Sequence, residues 1–171
     1  MTRIIVIGSS CSGKSTFSQQ LAEKYKIKYI ELDQFHWLPN WQERSDQEFI
    51  QLVDQATLAD TWVMDGNYSK VRDITWPRAT QIIWLNHPFH VVLYRAITRS
   101  ISRIITRKKL FSDNVESFQK TFLSRDSIIL WVLKTYHKKQ IEYAKLLNHQ
   151  HINIIELKGQ SQVNDYLDQC P

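Results

Sequence analysis

Gly8-Ser9-Ser10-Cys11-Ser12-Gly13-Lys14-Ser15 follows the apolar run Ile4-Ile5-Val6-Ile7 and precedes a helical pattern that opens with Thr16-Phe17. The octet has the form G-x-x-x-x-G-K-[ST], placed as its chemistry requires, between a buried strand and a helix N-terminus. Gly8 and Gly13 allow close backbone approach, and the loop amides turned inward make a cradle for anions. The helix that follows adds its unpaired amides and the positive end of its dipole. Gly8 through Thr16 are therefore the expected nucleotide-phosphate ligands, with Lys14 on the β- and γ-phosphates and the Ser15 hydroxyl on Mg²⁺. The chain has only 4 glycines in 171 residues, and two of them stand here.

The length predicts one domain over 1–171, with 43% hydrophobic and 23% charged residues, ordinary for a globular protein with a sizeable core. The apolar stretch Ile128–Leu133 is too short for a bilayer, and the N-terminus lacks the pattern of a signal segment. A cytoplasmic protein is expected. Cys11 lies in the phosphate loop and Cys170 beside the C-terminus, which makes a structural disulfide an unfavourable expectation. The histidines show no ligand spacing with cysteines, so no transition metal is assigned.

Net charge is +5, and its distribution is more informative than its sum. No Asp or Glu occurs from Ile74 through Ser112, where Arg78, Arg95, Arg99, Arg103, Arg107, Lys108 and Lys109 all fall. That region expects an anion, either nucleotide phosphate or nucleic acid.

Strands are predicted at Arg3–Ile7, Lys28–Leu32, Trp62–Met64, Gln81–Leu85 and Ile152–Leu157, alternating with helices, which implies a parallel sheet. Helices are expected from Ser15 to about Lys26, from Ser45 or Asp46 through Leu58, from Phe89 to Lys108, from about Phe118 to Asn148, and from Ser161 to Gln169. Ser45-Asp46-Gln47-Glu48 has the form of a capping box. Residues 34–44 read as an aromatic, irregular cleft wall. In parallel sheets ligands collect at the strand C-termini, where Gly8, Asp33, Asp65 and Asn86 stand.

Asp33 is the expected acceptor of a proton from a substrate hydroxyl, or a carboxylate on a Mg²⁺-bound water, against the plainer reading as a turn cap. Asp65 is a metal-assisting acid or an Asx-turn with Gly66. Arg95, Arg99, Arg103 and Arg107 recur every four residues on one helix face, with Leu93, Ile97, Ile101, Ile104 and Ile105 opposite. The arginine face is either a solvated flank or the charged side of a lid over about 95–118. On the lid reading, Arg95 and Arg99 stabilise transferred phosphoryl charge. His36, Trp37, Trp41, Asn67 and Tyr68 line an acceptor site by position, with core packing the competing role for each tryptophan.

On these residues the chain resembles the small P-loop kinases of the adenylate, shikimate and uridine kinase group. It is more closely similar to the bacterial DNA topology modulation proteins, over the phosphate loop, Leu32–Trp37, Trp62–Tyr68 and Leu93-Tyr94-Arg95. The resemblance implies a P-loop fold with a five-stranded parallel sheet in order 2-3-1-4-5 and a mobile helical lid. It further implies adenine binding near Lys158-Gly159, and Asp33 as base in a stretch similar to the Asp-x-Phe-Tyr of uridine-type kinases. Asp65-Gly66-Asn67-Tyr68 stands where adenylate kinases have Asp-Gly-Phe-Pro-Arg, so a monophosphate-binding arginine is missing there. The expected function is an ATP- and Mg²⁺-dependent kinase acting on a small polar acceptor, with no membrane partner, as a monomer or homodimer. The alternative is a nucleotide-binding regulatory protein that contacts nucleic acid through its basic face.

Overall fold

The computed structural model describes residues 1–106, 127–148 and 152–170, the side chain of Ile104 excepted. Five strands form one parallel sheet: β1 (Arg3–Gly8), β2 (Lys28–Glu31), β3 (Trp62–Asp65), β4 (Gln81–Leu85) and β5 (Asn153–Leu157), in the order β2-β3-β1-β4-β5. This is the order that the resemblance implies. Among the described residues seven helices accompany the sheet: α1 (Lys14–Tyr25), α2 (Leu32–His36), α3 (Asp46–Ala56), α4 (Ser69–Thr75), α5 (Phe89–Thr106), α6 (Ile128–Leu147) and α7 (Gln160–Gln169).

Alternation along the strands decides which helices meet which face. Ile5, Ile7, Ile30, Trp62, Met64, Ile82 and Trp84 pack with Phe49 and Val53 of α3, Val71 of α4 and Tyr143 and Leu147 of α6. Ile4, Val6, Val63, Ile83 and Leu85 point the other way, onto Phe17 and Leu21 of α1 and Val163 and Leu167 of α7. Both faces are covered, which is why these strands read as unbroken apolar runs. Each fully buried large side chain contributes about 1.5–3 kcal/mol, so the sheet centre is the rigid frame from which the loops project.

Several boundaries differ from the sequence-based expectation. Leu32 and Asp33 open the five-residue helix α2 rather than ending a strand. Beyond it, Trp37–Leu38 pairs antiparallel with Gln42–Glu43 across a 3₁₀ turn at Pro39–Trp41, so the 34–44 wall is a short helix plus a hairpin. Helix α4 had no signal in the reading, because seven residues give too little periodicity. Helix α3 begins as expected, with Ser45 Oγ accepting from the Glu48 amide at 3.3 Å.

The apolar stripes of the two long helices also differ. On α5 the buried residues are Val92, Ala96 and Ser100, while Ile101 and Ile105 are exposed, Ile105 by 75%. On α6 the inward face is Val132, Tyr136, Tyr143 and Leu147, while Trp131 is 50% exposed and Leu133 is exposed. Small residues at 96 and 100 let α5 lie close, and size alone did not reveal that. Helix α6 begins at Ile128, with Ser127 in an extended conformation before it, rather than running unbroken from Phe118; the expected extension of α5 through Arg107 and Lys108, the lid portion 107–118 and residues 118–126 lie outside the described residues. No helix among the described residues is long and apolar enough to cross a membrane.

Candidate active site

The phosphate loop joins β1 to α1 at the centre of the sheet, with β3 and β4 on either side. A Cβ on Gly8 would stand 2.7 Å from Ser12 Oγ and 2.8 Å from the Leu85 carbonyl oxygen, so only glycine lets the loop turn so tightly against β4. Gly13 caps α1 at φ 94°, a left-handed conformation that costs glycine little. The first-turn amides of Lys14, Ser15 and Thr16 have no intrahelical acceptor and are available to an anion. Lys14 Nζ donates to the Ser9 carbonyl at 3.0 Å, within its own loop.

Beside the loop, Ser15 Oγ donates to Asp65 Oδ2 at 2.5 Å, and Tyr29 donates to the same oxygen at 3.5 Å. Asp65 Oδ1 is buried without a hydrogen-bond partner. Burial pushes the Asp65 carboxyl above its ordinary range, against the lowering pull of the Lys14 charge and the Ser15 bond. A hydroxyl, a carboxylate and an orphaned buried oxygen fit a divalent cation, whose charge would repay the desolvation. Burial, with Asp65 and Asp33 nearby, also raises Glu31.

Asp33 projects from the first turn of α2. Tyr68 donates its hydroxyl to Asp33 Oδ1 at 2.5 Å. Burial, and then the Asp33 charge, raise the Tyr68 phenol and keep it a donor. Tyr68 is held between rings, 4.7 Å from His36 and 5.2 Å from Phe49. His36 is 5% exposed and packs on Trp37, so it backs the wall instead of fronting it. Trp37 and Trp41 meet edge to face at 5.7 Å and are half-buried.

Asn67 Oδ1 accepts from Arg72 Nε at 3.2 Å, and Asn67 Nδ2 is buried without a partner. Arg72 reaches Glu142 of α6 at 3.2 Å and lies 5.4 Å over the Trp76 ring. It stands on helix α4, beyond the Gly66 turn. A second cation missed from sequence is Lys139 on α6. Burial and the Lys14 charge lower its ammonium pKa, while Glu142 and Asp33 act to raise it. Lys139 and Glu142 are neighbours on one face of α6, and the fold brings Arg72 of α4 to Glu142, which no local spacing announces.

On the opposite side of the loop, Arg95 Nη1 donates to the Ser12 carbonyl at 2.9 Å and Nη2 to Gln160 Oε1 at 2.7 Å. Arg95 and Arg99 line a cavity of about 510 Å³ together with Cys11, Thr16, Phe17 and Gln160. His87 forms part of its floor. Burial, and then the Arg95 charge, lower the His87 pKa. Asn86 is occupied in holding elements together, donating to Glu156 at 2.6 Å and accepting from Gln140. The Lys158 amide is engaged by Gln162 Oε1 at 2.6 Å.

No family model matches the chain, and no curated protein matches it in sequence. Solved structures do match its fold. Shikimate kinase from Aquifex aeolicus VF5 is similar with a TM-score of 0.58 at 15% identity, over 98% of this chain and 92% of that one. A gluconokinase from Sinorhizobium meliloti 1021 gives 0.55 at 15% identity, over 99% and 89%. Shikimate kinase from Bacteroides thetaiotaomicron gives 0.55 at 14% identity, over 98% and 95%. At these identities the likeness establishes the fold: an α/β P-loop kinase fold with a five-stranded parallel sheet.

Proposed function

We propose that the chain is an ATP- and Mg²⁺-dependent kinase that transfers the γ-phosphoryl group to a hydroxyl of a small polar acceptor. The observation that carries this is the order of groups across one crevice: phosphate loop, then the Ser15–Asp65 pair, then Asp33 with Oδ1 fixed by Tyr68. That order matches what in-line transfer needs, with a phosphate cradle at one end and a proton acceptor at the other. The fold neighbours that phosphorylate shikimate and gluconate support a small hydroxylated acceptor.

In this reading the acceptor oxygen forms the new P–O bond as the bond to the β-phosphate oxygen breaks, ADP leaves, and Asp33 Oδ2 takes the hydroxyl proton. Lys14 and the amides of Gly8 to Thr16 hold phosphate oxygens. Ser15 and Asp65 hold Mg²⁺, which neutralises charge on the phosphates when bound. Asp33 borders the same metal site through Asp65 and Glu31. Arg99 and the lid supply further positive charge at transfer, while Arg95, bonded to the outer side of the loop, serves nucleotide binding. Trp37, Trp41, Asn67 and Tyr68 bound the acceptor, with His36 behind them.

The reading extends to one catalytic domain over 1–171, working in the cytoplasm as a monomer or homodimer and related to the DNA topology modulation proteins. Arg95 is turned onto the phosphate loop and engaged there, which favours the kinase over the nucleic-acid reading of the basic helix. The test is ADP release from MgATP across a panel of hydroxy acids, sugars, nucleosides and nucleotides. Acceptor-dependent release that Lys14→Ala abolishes is expected. Tight, steeply salt-dependent binding to DNA or RNA with no acceptor-dependent release overturns the kinase in favour of the regulatory protein.

A further inference from the structure

Arg95 is held at two points. Its Nη1 donates to the Ser12 carbonyl of the phosphate loop at 2.9 Å, and its Nη2 donates to Gln160 Oε1 at 2.7 Å. Two bonds from different nitrogens of a planar guanidinium define the orientation of its plane, not merely the position of its charge. Gln160 is itself held, because its Nε2 donates to Asn164 Oδ1 one turn along α7 at 2.8 Å. Arginine has no acceptor, so the amide oxygen must face Arg95 and the amide nitrogen must face Asn164. Both ends of the Gln160 amide are thus spent on protein groups.

The cavity beside this chain of bonds has an apolar side, from Phe17, Leu85 and Val163, and two guanidinium groups, Arg95 and Arg99, of which Arg95 is the one tied to Gln160. A flat ring system would be well served, buried on the apolar side and faced by the guanidinium plane. Its volume of about 510 Å³ falls within the range of small-ligand pockets. Ser12 and Gly13 of the phosphate loop and Thr16 of the first turn of α1 line it as well, so the ring and the phosphates belong to one molecule.

We propose that Gln160 is a positioning residue for nucleotide binding: it sets the plane of the Arg95 guanidinium against which the nucleobase lies. The proposal rests on the phosphate loop binding a nucleoside triphosphate. Gln160 acts through Arg95 and does not read the base, so its effect belongs to the base-bearing part of the ligand alone.

That separation gives the test. Binding isotherms are measured with Mg²⁺ for ATP and for tripolyphosphate, which has the phosphates but neither base nor sugar, on the full chain and on Gln160→Ala and Gln160→Glu. For Gln160→Ala the expected result is an affinity for ATP about five-fold weaker, the size of one modest hydrogen bond, with tripolyphosphate affinity unchanged. Gln160→Glu, which keeps an oxygen toward Arg95, should restore the ratio of the two affinities. Equal weakening of both ligands by Gln160→Ala, or no weakening of either, overturns the assignment while leaving the phosphate loop intact. Wild-type protein that binds tripolyphosphate as tightly as ATP overturns it as well, since no base would then be engaged. Wild-type protein that binds neither takes the kinase reading down together with it.

Discussion

The two sides of the crevice are held together by different kinds of bond. On the donor side, cations rest on loop carbonyls: Lys14 on Ser9 and Arg95 on Ser12. On the acceptor side, side chains rest on side chains: Tyr68 on Asp33, and Arg72 on Asn67 and Glu142. Backbone acceptors are present whatever the sequence, so the loop itself depends on a few glycines and a lysine within one octet, and Arg95 adds a bond to the Gln160 side chain. The acceptor side depends on matched partners from α2, α4 and α6. A cradle of the first kind suits a ligand common to many enzymes, and a wall of the second kind suits one particular acceptor.

The sharpest way to break this contrast is at Asp33. Asp33→Asn removes the proton acceptor and should lower kcat by roughly 10²–10⁴ while leaving MgATP affinity within about two-fold, read by steady-state kinetics and isotherms. Loss of ATP binding in that variant would mean the two sides are not separable.

Asp65→Asn comes next. Mg²⁺-dependent turnover should fall by roughly 10²-fold, yet the metal-free protein should melt at the same or a higher temperature near neutral pH. The sign follows from burial. A carboxyl raised in the folded state stabilises the fold fully below its ordinary value, and that contribution is lost as pH rises through the raised value. At neutral pH the ionised buried group is therefore a cost that Asn removes. A large drop in melting temperature would show Asp65 to be structural.

A smaller effect is expected at Arg72. Its ion pair with Glu142 is partly exposed, so Arg72→Ala should destabilise by only about 1 kcal/mol, mostly through the lost Asn67 bond and Trp76 contact. Its larger consequence should be a raised KM for the acceptor with that for ATP unchanged, which would confine Arg72 to the acceptor side.

The smallest is a pH effect at His87. Its pKa is lowered in the fold, so the unfolded chain takes up a proton first, and stability should decline as pH falls below 6.5. His87→Gln should flatten that decline in thermal melts between about pH 6.5 and 5. An unchanged slope would place the acid sensitivity elsewhere.

The same contrast explains what was legible from the sequence. Gly8 to Ser15 could be read directly because the cradle is local, and the strands because Ile4–Ile7 and Gln81–Leu85 are buried on both faces. The alternation of strands and helices points to Asp33 and Asp65, although the structure puts Asp33 in the first turn of α2 and only Asp65 at a strand end. Arg72, Glu142 and Gln160 carry no such signal, since Arg72 bonds Asn67 and Glu142, 5 and 70 positions away, and Gln160 bonds Arg95, 65 away; Lys139 faces Lys14 and Asp33 from the far end of the chain. Helix faces misled for a related reason: Ala96 and Ser100 are buried by close packing, whereas Ile101, Ile105 and Trp131 are bulky yet exposed. Hydrophobic size records what a residue can bury, and the neighbour decides whether it does.

The central claim is that the loop between β1 and α1 holds a triphosphate through Lys14. It is tested most directly by titrating a non-hydrolysable ATP analogue with Mg²⁺ into wild-type protein and Lys14→Ala. The account predicts saturable binding to the wild type, weakened by about 100-fold in the variant, as expected for the loss of charge-assisted bonds to phosphate. Equal affinity in the two proteins, or no binding to either, would contradict it.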